Sequence, residues 1–402
     1  MSRVVVTGLG VLAPNGNGTD DYWSNTLAGK SGIAPISLYD ASRYPCTLAG
    51  EVPGFDAEVR VPGKLRAQTD HMTHLALAAT EAALADAQAD PAAFGEYEMG
   101  VVTANSSGGT VFGQRELEKL WSKGPEHVGA YMAVAWFYAA TTGQISIRHK
   151  MRGPCGVLVA EQAGGLDAIG HAVRQVRREG LRLIVTGGTD ASLSPAGLTA
   201  QLTTGLLSHR SDPHRAYLPF DRAAAGYVPG QGGAVLLLED YGSAVKRGAP
   251  RLYGEIAGYA AGFDPGSRHV LPRVIVKALT AAGAGPDDVD VVFADALGDF
   301  AADRQEARAL RELFGPRGVP VTAPKTMTGR LYAGGGPLDV ASALLAIRDQ
   351  VIPPTVNVAD PVPGDELDLV LGEPRPAPVR TALVVARGFG GFCTAIVVRA
   401  LP

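Results

Sequence analysis

Short apolar and β-branched runs alternate along the chain with longer segments whose apolar residues recur every three or four positions. This is the pattern of an α/β protein, with strands joined by helical crossovers. Val4–Thr7, Met99–Thr103, Val157–Ala160, Leu183–Thr186 and Ala234–Glu239 predict strands in the first part, and Thr73–Ala89 and Gly164–Glu179 predict helices between them. In the second helix Leu166, Ile169, Val173 and Val176 form one apolar face, with Arg174, Arg177 and Arg178 opposite. Tyr241–Arg251, carrying Gly242, Gly248 and Pro250, reads as a surface stretch, after which the pattern restarts at Leu252–Gly258. A boundary is expected there, giving units 1–250 and 251–402. The second part predicts strands at Val289–Ala294, Val319–Thr322, Asp368–Leu371, Thr381–Ala386 and Ala395–Arg399, and helices at Asp303–Leu313 and Gly336–Asp349. Two βαβ-type halves without a recognisable sequence repeat follow. Pro265–Ser267 and Pro353–Asp365 read as loops.

Composition narrows the function classes. Thirty-six Lys plus Arg against forty Asp plus Glu give −4 without a long like-charge run, so neither nucleic acid nor an anionic membrane is an expected partner. The apolar run at the N-terminus is too short for a signal sequence or a membrane span, and a soluble, cytoplasmic protein is expected. Three scattered cysteines, Cys46, Cys155 and Cys393, support neither a disulfide framework nor a zinc ribbon. The eight histidines end at His269, leaving the last third of the chain with none.

Most formal motifs lose to simpler readings. Gly8-Leu9-Gly10-Val11-Leu12-Ala13 matches a dinucleotide fingerprint, but Pro14-Asn15-Gly16-Asn17-Gly18 stands where a helix must hold the pyrophosphate, so a plain glycine turn is expected. Ser243-Ala244-Val245-Lys246 matches SxxK and reads as a solvated helix. His71 and His74 lack further ligands at metal-site spacing and read as a half-exposed helix start; no metal is expected.

Met151–Ala168 carries more information. A strand runs into a sharp turn and a small-residue helix start, the arrangement that presents a nucleophile at a helix N-terminus, where the dipole favours an anion. The elbow holds Gln162, whose carboxamide is no nucleophile. Cys155 lies seven residues upstream, before the expected strand, and reads as a buried structural thiol.

With Gly187-Gly188-Thr189-Asp190, Pro219-Phe220-Asp221-Arg222, Gly226–Gly232, Pro324–Gly329 and Gly388-Phe389-Gly390-Gly391 in order and spacing, the chain resembles the ketosynthase branch of the thiolase-like superfamily over nearly its whole length. The resemblance implies a thiolase-like fold, two βαβ-type halves in a layered α-β-α-β-α core. It places Gln162 where active ketosynthases carry the nucleophilic cysteine, and Asp295 and Arg330 where they carry two histidines that serve decarboxylation. Lys325 and Phe389 are retained in the vestigial site; Phe389 belongs to the loop whose N–H completes the oxyanion hole in active relatives, and Phe392-Cys393 replace a usual His-Asn. Without a thiolate no acyl-enzyme forms, and without the imidazoles nothing donates to the enolate oxygen. The segment Val159–Ala168 is similar to that of the chain length factor, the ketosynthase β subunit of type II aromatic polyketide synthases.

That resemblance implies a heterodimer with a catalytic ketosynthase α subunit, with acyl carrier protein presenting the chain on its phosphopantetheine arm mainly to the α subunit, and no cofactor of its own. It maps Thr110, Gly113 and Leu117 onto positions that gate the polyketide tunnel; their spacing puts them on one helical face. The small Thr110 and Gly113 predict a deep tunnel and a long product. The simpler alternative is a core helix packing Leu117, Leu120 and Trp121 inside. Tyr131–Tyr138 is the expected interface, with a buried core helix as its alternative. Two further alternatives stay open: a malonyl-carrier-protein decarboxylase in which the Gln162 amide holds the thioester carbonyl, and a condensing enzyme active alone through Cys155. For Gln162 the plain reading is a pocket plug with satisfied hydrogen bonds.

Overall fold

The computed structural model describes residues 3–266 and 270–402; His269, and Ser267 at the end of one expected loop, lie outside them. Its frame is an eleven-stranded mixed sheet of β1 (Val4–Leu12), β2 (Met99–Ala104), β3 (Cys155–Leu158), β4 (Leu183–Asp190), β5 (Gly232–Asp240), β6 (Gly254–Phe263), β7 (Val291–Phe293), β8 (Pro320–Thr322), β9 (Asp368–Leu369), β10 (Thr381–Gly388) and β11 (Phe392–Arg399). The helices that matter below are α1 (His71–Asp86), α2 (Thr110–Lys123), α3 (Glu161–Glu179), α4 (Val270–Ala282), α5 (Phe300–Phe314) and α6 (Gly335–Asp349).

The strand order is β9-β8-β7-β10-β11-β6-β1-β5-β4-β2-β3. Counting strands within each half, both run third-second-fourth-fifth-first, with β9 added at one edge. Parallel pairs β2–β3 and β2–β4 match β7–β8 and β7–β10; antiparallel β4–β5 and β5–β1 match β10–β11 and β11–β6. The halves are thus two copies of one topology, joined where Val5 and Val6 face Glu255 and Gly254.

Hydrophobic periodicity explains the layers. Along β10, Ala382, Val384 and Ala386 face an inner core while Leu383 and Val385 face an outer one, so the strand is buried on both sides. In β4, Ile184 faces inward and Leu183 and Val185 outward. The inner core is filled by α3 and α6, which contact strands of both halves; α1 covers β1 and β5 outside, and α4 covers β6 and β11. The result is the α-β-α-β-α arrangement.

Three expectations change. Gly8 and Gly10 form no turn but lie inside β1, where a Cβ would meet Ala83 O at 2.2 Å and Ala79 O at 1.9 Å; they let α1 sit against the strand. The third strand is Cys155–Leu158 rather than Val157–Ala160, because its pairing with β2 stops at Ala104–Leu158. Cys155 therefore opens the strand, and it is exposed, not buried, since β3 is an edge strand with only β2 beside it. His71 does open a helix, and Tyr241–Lys246 is a short helix with Val245 exposed.

Candidate functional site

The turn from β3 into α3 is built under strain. Ala160 lies at φ −147°, ψ 37°, and Glu161 takes φ +49°, a left-handed conformation that costs a non-glycine residue roughly 1–3 kcal/mol. Small residues follow because α3 meets the start of α6 closely: a Cβ on Gly165 would lie 2.3 Å from Ala333 O. One on Gly335 would lie 2.4 Å from the Gln162 amide nitrogen. Gln162 is fully buried against this glycine, and neither amide atom has a hydrogen-bond partner among the described residues. The hydrogen bonds expected of a satisfied plug are missing.

Asp295 and Arg330, which the resemblance expects at the two histidine positions, do meet. Arg330 Nη2 lies 3.2 Å from Asp295 Oδ1, and Arg387 Nε lies 3.2 Å from Oδ2. Arg387 also pairs with Glu306 at 2.9 Å, and the Glu306 carboxylate accepts the Asp295 and Ala296 N–H groups at 2.7 and 2.9 Å. Burial opposes the Asp295 charge, but Arg330, then Arg387 and Lys325, outweigh it and hold the carboxyl below its usual range. Asp295 and Arg330 are thus an acid and a base that satisfy each other. Lys325 is likewise engaged, with Asp339 at 2.8 Å and the Ala294 carbonyl.

Asp190 ties the first half to this centre. It accepts Ser106 N–H and Ala333 N–H at 3.1 and 3.0 Å and the Asn105 amide at 2.9 Å, and burial pushes its carboxyl up to about 7.

A cavity of about 1010 Å³ connects this region to α2. Thr110, Gly113 and Leu117 line it from one helical face; Glu161, Arg330 and Phe389 line its other end. Gly113 leaves ordinary contact distances, 3.6 Å from its ideal Cβ position to Trp136 Cβ and 4.0 Å to Met132 Cε. Leu117 is 46% exposed and Trp121 83%, so the core-helix alternative does not hold. Tyr131–Tyr138 is no core helix either: Tyr131, Val134, Trp136, Phe137 and Tyr138 are all exposed. Gln162 and Cys155 are absent from the cavity wall.

Sequence reasoning missed Glu161, Arg387 and Glu306. Glu161 was legible as the one charge in a small-residue elbow. Glu306 carried no signal, because only the packing of α5 beneath residues 293–296 gives it a role. Among the described residues, no group of three or more His, Cys, Asp or Glu is placed to hold a metal ion, and no helix is long and apolar enough to cross a membrane.

Two copies of one topology around shared central helices, with a strained strand-to-helix turn at Glu161, define a condensing-enzyme scaffold. The models of the beta-ketoacyl synthase N-terminal and C-terminal domains match residues 1–244 and 253–359. The chain belongs to the beta-ketoacyl synthase family, and within it to the ketosynthase β subunits, the chain length factors, of type II polyketide synthases. It is 60% identical to the tetracenomycin polyketide synthase ketoacyl synthase beta subunit of Streptomyces glaucescens, over 98% of each chain. It is 34% identical to the 3-oxoacyl-[acyl-carrier-protein] synthase 2 of a Synechocystis species, over 97% of this chain and 96% of that one. Among solved structures, the ishigamide ketosynthase/chain length factor superposes with a TM-score of 0.93 at 26% identity. A type II acyl-carrier protein complex with its ketosynthase bound to a hexaketide gives 0.90 at 27%; coverage is complete in both.

Proposed function

We propose that this subunit pairs with a catalytic ketosynthase α subunit and contributes the wall of the tunnel that sets poly-β-ketone length, while performing no condensation itself. The observation that carries the reading is one cavity joining Thr110, Gly113 and Leu117 to Arg330 and Phe389, with Gln162 and Asp295 buried behind its wall. Acyl carrier protein serves the complex mainly through the α subunit, its phosphopantetheine arm being the substrate carrier. The exposed stretch Tyr131–Tyr138 lies beside the cavity and belongs to the docking face. The setting is the cytoplasm.

The test is co-expression with a cognate ketosynthase α subunit and measurement of product mass. Gly113→Phe fills the cavity opposite Trp136 and shortens the product; an unchanged distribution with an intact heterodimer overturns the tunnel reading. Incubating the purified chain alone with labelled acyl carrier protein leaves it unlabelled. Covalent acylation would instead overturn the reading of a non-condensing subunit, and its loss in Cys155→Ala would assign the acylated residue.

A further inference from the structure

The Phe389 N–H, the donor expected to complete an oxyanion hole, is already taken. It donates to Glu161 Oε2 at 3.0 Å, and Glu161 Oε1 lies 3.6 Å from Arg330 Nε. Both contacts stand on the cavity wall, and the carboxylate reaches them from a residue held at φ +49°. A side chain anchored in a strained turn, with one oxygen on an oxyanion donor and the other beside a buried guanidinium, sits where a ligand oxygen would sit.

Charge decides what this arrangement accepts. Three cations, Arg330, Arg387 and Lys325, face four carboxylates, Glu161, Asp295, Glu306 and Asp339. Asp303 stands beside them, its carboxyl raised to about 7 by burial, and adds no positive charge. A cluster already carrying an excess carboxylate repels another. Without Glu161 three cations would face three acids, with one N–H and one side of Arg330 unpaired toward the cavity.

The geometry points to Glu161 as a resident anion that closes a latent small-carboxylate site made by Arg330 and the Phe389 N–H. As it stands, the vestigial acyl site is shut to malonyl-type ligands by its own chain, which disfavours decarboxylation beside Gln162. The inference rests on reading this region as a vestigial acyl site. Its readout is ligand binding, so its failure leaves the tunnel function standing, and product length tests that function separately.

The experiment is calorimetric titration of malonate at pH 7 and low salt into the complex with the ketosynthase α subunit, whose own contribution is common to all variants. Glu161→Gly removes the carboxylate and suits φ +49° without strain; Glu161→Gln removes only the charge. The expected result is a malonate site in Glu161→Gly at least tenfold tighter than any in the parent chain, an intermediate gain in Glu161→Gln, and no gain for the neutral analogue malonamide. Equal malonate affinity in the parent and in both variants overturns the inference, as does equal gain for malonamide. Thermal melting establishes that each variant is folded, and if Glu161→Gly is not, the Glu161→Gln comparison decides.

Discussion

The two ends of the cavity are built from opposite materials. At one end buried acids and bases pair with each other: Asp295, Arg330, Arg387 and Glu306 are linked at 2.9–3.2 Å. At the other end Thr110, Gly113 and Leu117 present little more than volume, and Leu117 is half in solvent. Catalytic groups must keep free lone pairs or protons for a substrate, whereas charged groups that pair with one another, as these do, contribute rigidity. A tunnel wall needs only shape, and shape survives without any reactive residue. The cavity therefore does not depend on reactive groups at its ionic end.

Breaking the ionic end has the largest expected effect. Asp295→Ala leaves two buried guanidiniums without their shared acid and lowers stability by about 3–5 kcal/mol, checked by denaturant unfolding of the complex. A loss below about 1 kcal/mol, the range of an exposed pair, would mean that this end is not a structural unit.

Filling the other end inverts the readouts. Gly113→Phe costs about 1–3 kcal/mol by overpacking, yet shifts product mass toward shorter chains, whereas Asp295→Ala complexes that still assemble keep their product length. If both variants shorten the product alike, the two ends do not divide shape from rigidity.

A smaller effect is set by pH. Burial raises the Asp190 and Asp303 carboxyls from 3.8 to about 7, so between those values the folded chain holds protons that the unfolded chain has released. Their contribution to stability therefore falls as pH rises through that window and levels off above about 7, with a slope of at most about 1.4 kcal/mol per pH unit for each group. Asp295, held low, acts oppositely: its stabilisation is present above the usual carboxyl range and is lost only as pH falls below it. Unfolding curves from pH 4 to 8 for the parent and Asp303→Asn check this, and the variant should show the shallower decline.

The smallest effect belongs to Leu117. At 46% exposure its truncation to alanine should move the stability of the subunit by no more than about 0.5 kcal/mol, while still altering the product distribution. A stability loss of several kcal/mol would return α2 to the status of a core helix.

The sequence by itself determined the strand–helix alternation and the class of fold, because hydrophobic period and the order of the glycine-rich motifs are local facts, and it supplied Gln162, Asp295 and Arg330, on which the proposal of a non-condensing subunit rests. The strand predictions fell on the observed strands with shifted ends: β1 runs on to Leu12 and β4 to Asp190, and at Cys155–Leu158 both ends move because pairing with β2, not propensity, ends that strand. Tertiary structure alone decided that the halves share one topology, since nothing in the residues repeats. It also decided that Cys155 lies at an exposed edge, that Gln162 turns away from the cavity, and that Glu161 takes up the Phe389 N–H. Those outcomes depend on groups as far as 228 positions apart in the chain meeting in the folded protein, and a sequence pattern carries no record of which distant charge will stand beside which donor.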